Sequence, residues 1–305
     1  MQEPLETEIV MPELQLTEEE DEYESGEQEE GVIYVNSGDE EDKNSTWLKI
    51  GSIDLKFHEK SILQSDDMWL NDKHINAAQY LLKQQFPLIQ GFQDTLLQKH
   101  DGFSVESGEF MQIINMAESP WVTLSTLRLQ QQGTIRLYDS MKAQSISSEV
   151  QQIIAALLCT KKPIITVKTE QVQQQPDSSS CGPFAIAFAT FECFGQDPRR
   201  ALVDVAKMRP HLLQCFETNK MTPFPTVEIS TTIHLCELEV FRVYCECCMP
   251  LAREDPLRTC NVCRERFHAE CQFNAEKHWM DHEDTKVWFC EECWKLVEKK
   301  HFVIT

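Results

Sequence analysis

Hydrophobic and polar residues alternate in WLKIGSIDLKF from Trp47, the period of a strand or hairpin. The spacing then changes. In MWLNDKHINAAQYLLKQQFP, Ile75, Tyr80, Leu81 and Leu82 recur at helical intervals, with Asn71 or Asp72 placed to cap. Two strands, PWVTLSTLRL and GTIRLYDSM, are joined through Gln-Gln-Gly. Residues 147–159 have the pattern of a helix, and KPIITVKTEQVQ that of another strand. CGPFAIAFATFECFG is apolar on every side and predicts a buried helix, with Pro183 tolerated in its first turn. RPHLLQCFETNK predicts a short closing helix, and TPFPTVEIS begins a linker. This order is mixed α and β. It lacks the regular alternation of a doubly wound sheet and shows no internal repeat.

Composition narrows the class. The 305 residues leave room for about two domains, and 41% apolar residues suffice for real cores. No apolar run approaches the roughly 18 residues of a membrane span, so no membrane partner is expected. The opening MQEPLETEIVMPEL has neither a basic region nor an apolar signal core. A reducing intracellular compartment is the expectation. The net charge of −22 is concentrated in residues 1–43, where seventeen acids face one lysine. Residues 1–45 are therefore expected to be an acidic, disordered tail, which disfavours direct nucleic-acid binding. Of the 13 cysteines, Cys159, Cys193, Cys215 and Cys236 sit in apolar surroundings and read as small buried hydrophobes. Eight others lie between Cys245 and Cys293.

Within VQQQPDSSSCGPFAIAFATFECFG, Cys181 stands at the start of an apolar helix, where the positive end of the dipole favours a thiolate. A cysteine peptidase also needs a His as base, an Asp or Asn to orient it, and an oxyanion donor. Asp139, at the end of the strand in LYDSM, is a candidate orienting carboxylate, and Gln175 is a candidate oxyanion donor.

With WLND at 69–72, PWVTLS at 120–125, YDS at 138–140, and Gln175 followed by Cys181-Gly182, residues 47–225 resemble the ubiquitin-like-protein-specific proteases, the SUMO-deconjugating cysteine peptidases. The resemblance implies a papain-like α+β fold that cleaves after the C-terminal Gly-Gly of a modifier. It implies a His-Asp-Cys triad, here Asp139 and Cys181, with Gln175 in the oxyanion hole. It also implies a tunnel over the diglycine closed by two tryptophans, matched by Trp69 and Trp121. The family's His directly precedes the second Trp, and that position is Pro120. His58, His74, His100 and His211 occupy no equivalent place. The family's common Asp before the nucleophile is replaced by Ser180. Catalysis is thus expected to be impaired, and a non-catalytic protein that binds a ubiquitin-like modifier or a histone peptide is the alternative.

The C-terminal order is Cys245-x-Cys247, Cys260-x2-Cys263, His268-x2-Cys271, Cys290-x2-Cys293. Short-spaced Cys/His pairs suit tetrahedral zinc, and four pairs make two sites. Cys245-x2-Cys248 is an equally legal first pair. His278 and His282 fall outside the pattern and read as loop residues. With Trp288 two residues before Cys290, residues 243–294 resemble a PHD finger. That resemblance implies two zinc ions in a cross-brace: Cys245, Cys247, His268 and Cys271 on one, Cys260, Cys263, Cys290 and Cys293 on the other. Many fingers of this kind read a methyl-lysine histone tail with an aromatic cage. Here only Tyr244 stands as a wall, and Arg266 occupies a position that is often Trp.

In the tail, Val32, Ile33, Tyr34 and Val35 precede a run of acids in GVIYVNSGDEED, which resembles a SUMO-interacting motif. Phosphorylation at Ser37 would add charge. The expected organisation is a tail at 1–45, a peptidase-like domain at 46–225, a linker at 226–240 and a zinc finger at 241–305. The expected partners are SUMO or another ubiquitin-like modifier and a histone tail peptide. The expected compartment is intracellular and nuclear.

Overall fold

A computed structural model describes residues 43–298, apart from 100–101, 117–119, 143–144, 161, 230–234, 245–246, 251–255, 272–277 and 283–284. The acidic tail, Val32–Val35 and Ser37, His100 and Cys245 therefore lie outside the described residues. The chain begins with a hairpin, β1 (Thr46–Ile50) and β2 (Ile53–Lys56), as its alternation predicts. Helix α1 (Phe57–Gln64), which the sequence reading missed, leads to α2 (Asp72–Gln85). Asn71 caps α2: its side chain accepts from the His74 backbone N–H at 3.4 Å. Strands β3 (Gln90–Gly91), β4 (Phe110–Asn115), β5 (Trp121–Ser125) and β6 (Thr134–Tyr138) follow. Then come α3 (Ser148–Leu158), β7 (Ile164–Glu170), α4 (Cys181–Cys193), β8 (Ala201–Val203) and α5 (Val205–Glu217). Strands β3 and β4 were not legible in the sequence.

Residues 226–240, expected to be a linker, contain strands. Strand β9 (Thr226–Ile229) pairs with β8, and β10 (Glu237–Tyr244) pairs antiparallel along β7. Six residues of β10, from Glu237 to Arg242, match Thr169 back to Ile164. The segment entering the cysteine-rich region is thus an edge strand of the main sheet. With β11 (Met249–Pro250) added, that sheet runs β11-β10-β7-β6-β5-β4-β3. The β6/β7 and β3/β4 pairs are parallel and the rest antiparallel.

The sheet has a core on each face, because side chains alternate along a strand. Val122 and Leu124 of β5 join Ile153, Ile154 and Leu157 of α3 in one core. Trp121, on the opposite face of β5, joins α2, α4 and α5 in the other. All thirteen residues of α4 are buried, which explains its unbroken apolarity. The polar exceptions are Thr190 and Glu192. Thr190 Oγ1 donates to the Ile186 carbonyl at 2.7 Å. The Glu192 carboxylate is paired with Arg128 at 2.6 Å and Arg136 at 3.7 Å and accepts from the Tyr138 hydroxyl at 2.5 Å.

The cysteine-rich segment has its own small core around Trp288 and Phe289. It comprises β12 (Leu257–Thr259) with β13 (Arg266–His268), β14 (Trp279–His282) with β15 (Thr285–Trp288), and α6 (Glu291–Glu298). Among the isolated cysteines, Cys193 and Cys215 are buried as expected, but Cys159 is exposed. Cys159 is the left-handed cap of α3 (φ +34°), and a helix end at the surface turns its side chain outward. Among the described residues no helix is long and apolar enough to cross a membrane.

Replacing Glu192 with Ala leaves Arg136 and the Tyr138 hydroxyl without their buried partner. The expected loss is about 3 kcal/mol, measured by urea unfolding. Glu192→Gln, which keeps the hydrogen bonds, is expected to lose less.

Candidate functional site

The start of α4 is built by local turn chemistry. The Asp177 carboxylate accepts from the backbone N–H groups of Ser179 (2.9 Å) and Ser180 (2.8 Å) and from Ser180 Oγ (2.9 Å). Burial pushes its pKa up, but these donors together outweigh it and hold the carboxyl below its ordinary value. Ser180 stands where an Asp was expected. Asp177, three residues earlier, is the acid that organises this turn instead. The DSSSC run carries that signal as an Asx turn.

Cys181 is fully buried at the first turn of α4. Burial pushes its thiol up. Backbone N–H groups of Trp121, Gly182 and Cys181 itself oppose this without reversing it, and the Asp139 charge adds to the rise. The structure therefore places the Trp121 backbone and the Asp139 charge near Cys181. The sign of the Asp139 effect matters. In a triad the carboxylate stabilises an imidazolium between itself and the thiolate; among the described residues no imidazole stands there, and its charge opposes the thiolate. Pro120, immediately before Trp121, is buried and supplies no such group.

The described histidines are placed elsewhere. His58 is exposed on α1. His74 is buried, accepting at Nδ1 from the Asn71 N–H (3.2 Å) and donating from Nε2 to the Glu59 carbonyl (2.9 Å). That arrangement, with burial pushing its pKa down, keeps it neutral and structural. His211 faces Cys215 at 3.5 Å on α5.

Gln175 is tied to the strand end that presents Asp139. Its backbone N–H donates to the Ser140 carbonyl (2.9 Å), and Ser140 Oγ donates to its Oε1 (2.7 Å). Its Nε2 donates to the Asp177 carbonyl at 2.7 Å, so an oxyanion must compete with that oxygen. Asp139 is 2% exposed and accepts from the Met141 N–H at 2.7 Å.

The two tryptophans differ. Trp121 is buried and its indole N–H donates to the Leu70 carbonyl at 2.9 Å, whereas Trp69, the neighbour of Leu70, is 47% exposed. Gly182 makes that approach possible: a Cβ there would lie 2.9 Å from Leu70 Cβ. Arg209, which sequence reasoning missed, binds the same region from below. Its guanidinium is 4% exposed and donates to the carbonyls of Ile62 (2.9 Å), Met68 (2.5 Å) and Ser179 (3.3 Å). It thus joins the segment carrying Trp69 to the turn before Cys181. An arginine on an ordinary helical pattern gives no sequence signal for this.

A second constellation lies in the cysteine-rich segment. Cys260, Cys263, Cys290 and Cys293 bring four sulfurs within 4.8 Å of one another, and Cys247, His268 and Cys271 form a second such group. These groups are the ones that the resemblance implies. Cys245 lies outside the described residues. Cys247, and not Cys248, is the clustered member of the alternative pair; Cys248 is buried in a left-handed turn at φ +58°. The donor sets and distances suit a metal such as zinc. Arms of about 2.3 Å to sulfur give a tetrahedron with edges of about 3.8 Å. Cys263 and Cys290 sulfurs are 3.9 Å apart, and His268 Nδ1 is 3.3 Å from the Cys247 sulfur and 3.8 Å from that of Cys271. Burial raises the Cys260 thiol, but backbone N–H groups of Cys290, Cys263 and Val262 outweigh it and bring it to about 7. That environment receives a thiolate. His278 is not a loop residue: it is buried, stacked on Trp294 at 5.3 Å and 3.3 Å from the Glu291 carboxylate.

No protein-family model matches the chain, and no curated protein sequence matches it. The solved structures it is similar to include a SUMO protease Ulp1 with its catalytic cysteine oxidised to a sulfinic acid, at 15% identity and a TM-score of 0.45, covering 62% of this chain and 97% of that one. Another is the C-terminal Ulp1 protease domain in complex with Smt3, the yeast orthologue of SUMO, at 15% identity and a TM-score of 0.43, covering 57% and 88%. A third is the Xanthomonas campestris effector XopD bound to ubiquitin, at 16% identity and a TM-score of 0.34, covering 49% and 92%.

Two outcomes follow from this geometry. Alkylation of Cys181 by iodoacetamide is expected to be slow at pH 7 and to rise with a midpoint above the roughly 8.5 of a free thiol, because only the thiolate reacts and burial raises its pKa. Mass-spectrometric mapping of the modified peptide at several pH values checks this. Gly182→Ala is expected to cost about 1–3 kcal/mol by pushing Leu70 off Trp121, read from urea unfolding and from a shift in tryptophan fluorescence.

Proposed function

We propose that residues 46–225 are a ubiquitin-like-modifier peptidase domain that retains its nucleophile and tail-binding cleft but lacks its base. The supporting observation is the Cys181 thiol beside the Trp121 backbone N–H, where the adjoining residue is Pro120 and the nearby Asp139 charge opposes ionisation. Removing a triad base costs on the order of a millionfold in rate. Such a domain binds a modifier ending in Gly-Gly more than it cleaves one. Trp69 and Trp121 form the walls of the cleft, and Arg209 holds one wall against the nucleophile's turn.

Residues 241–305 are proposed as a PHD-type finger holding two zinc ions. Cys245, Cys247, His268 and Cys271 take one ion, and Cys260, Cys263, Cys290 and Cys293 the other. Bound there, zinc would cross-link a segment whose apolar core is small. The tail residues Val32–Val35 add a SUMO-binding strand, and the assembly works in the nucleus. A methyl-lysine histone tail is a poor fit, because the Arg266 guanidinium stands over the Tyr244 ring at 5.9 Å. A second cation at that face would be repelled.

Labelling with a SUMO or ubiquitin probe carrying a C-terminal electrophile tests the peptidase reading. Wild type should label weakly, Cys181→Ala not at all, and Pro120→His more strongly than wild type. Robust wild-type turnover of a diglycine-linked substrate would sink the impaired assignment. Elemental analysis should find two zinc ions per chain, and one or none refutes the cross-brace. Deleting residues 30–42 should weaken SUMO binding; unchanged affinity removes the tail motif from this account.

A further inference from the structure

A cavity of about 410 Å³ opens where the cysteine-rich segment meets the main sheet. Lys162 and Pro163, at the start of β7, line one side, and Arg242, Tyr244, Arg264 and Arg266 line the other. Among the described lining residues Glu265 is the one acid, which gives them a net charge of about +3 in a chain of −22.

Five of the six described arginines outside this groove are paired, which makes the concentration significant. Arg128 and Arg136 pair with Glu192 and Glu170, Arg199 and Arg200 with Asp197, and Arg209 with backbone carbonyls. Among the described residues, Arg242, Arg264, Arg266 and Lys162 have no carboxylate within 4.0 Å. Acids are abundant in this chain, yet these four cations converge on one groove without using them. Lys162, Arg242, Arg264 and Arg266 are all exposed, so their charged heads are accessible. Arg266 is held over Tyr244, which fixes the direction of its fork.

We infer that this groove binds an acidic peptide segment, with arginine forks on its carboxylates and Tyr244 beneath. Guanidinium–carboxylate bonds are charge-assisted and often bidentate, which suits a short run of Asp or Glu. A nucleic-acid duplex fits less well. Duplex affinity rests on about 6–10 phosphate contacts, more than four cations supply, and the remaining surface of this acidic chain repels a long polyanion. The inference does not depend on Cys181 or on any peptidase activity. It requires only that β10 keeps its place on β7, since that pairing brings Lys162 beside Arg242.

Fluorescence anisotropy of the full, zinc-loaded chain with a labelled peptide of about eight glutamates tests it. Wild type should bind, and raising salt from about 50 to about 200 mM should weaken binding. Lys162→Glu with Arg242→Glu should weaken it at least about tenfold. Lys49→Glu with Lys220→Glu, the same change in net charge at two exposed lysines elsewhere, should leave it within about twofold. Should the groove variant fail to fold by circular dichroism, Lys162→Glu alone, on an exposed turn, is expected to weaken binding by a smaller factor. Absence of wild-type binding overturns the proposal, as does equal loss in both double variants. Tighter, groove-dependent binding of a short DNA duplex would overturn it in favour of a nucleic-acid site.

Discussion

The packing of the first turn of α4 against Leu70 is the contact on which the candidate site depends. It is possible only because residue 182 has no side chain; a Cβ would sit 2.9 Å from that of Leu70. With Leu70 in place, its carbonyl receives the Trp121 indole N–H, and β5 is drawn onto the helix. Thr123, two residues along the same face, repeats the contact by donating to the Ala185 carbonyl at 2.7 Å. Two hydrogen bonds and one close approach thus set where Cys181 stands relative to Trp121 and Asp139.

Burying α4 this completely has an electrostatic consequence. A thiolate at its N-terminus gains from helix dipole and backbone donors but loses more to desolvation. In a working triad an imidazolium offsets that loss. Pro120 cannot, so the same carboxylate that would support an ion pair becomes a neighbouring like charge. Geometry suited to a nucleophile and electrostatics unsuited to its ionisation therefore coexist at one residue. Arg209 is the nearest compensating element. Its charge faces Asp66, Asp67, Asp177 and Cys181, yet its donors are occupied by three carbonyls, so it acts by holding loops in place.

The cysteine-rich segment is joined to the main sheet by backbone pairing, because β10 occupies the free edge of β7. An open edge is an aggregation hazard, and covering it with a strand from the same chain removes that hazard. Further contacts follow: Lys142 pairs with Glu237 at 3.6 Å, and the Ile146 N–H donates to Glu239 at 3.2 Å. The basic groove at the junction is a product of this docking, since its two walls come from segments about eighty residues apart.

Local patterns alone determined much here. Strand alternation, the helical spacing of α2, α3 and α5, and the all-apolar α4 each reflect which faces a segment must bury, and burial is written residue by residue. The cysteine spacings showed four short pairs, enough for two tetrahedral sites; which pairs share a site came only from the resemblance. The landmarks around Cys181, and the proline at position 120, were equally readable. Tertiary structure decided what depends on long-range pairing. Residues 226–240 have the composition of a linker, and only the unpaired edge of β7 makes a strand of Glu237–Tyr244. Arg209 became a buried staple, His74 a neutral cap and His278 a core residue through partners distant in sequence. Arg242, Arg264 and Arg266 are unremarkable along the chain, and they form one site because the sheet brings them to Lys162.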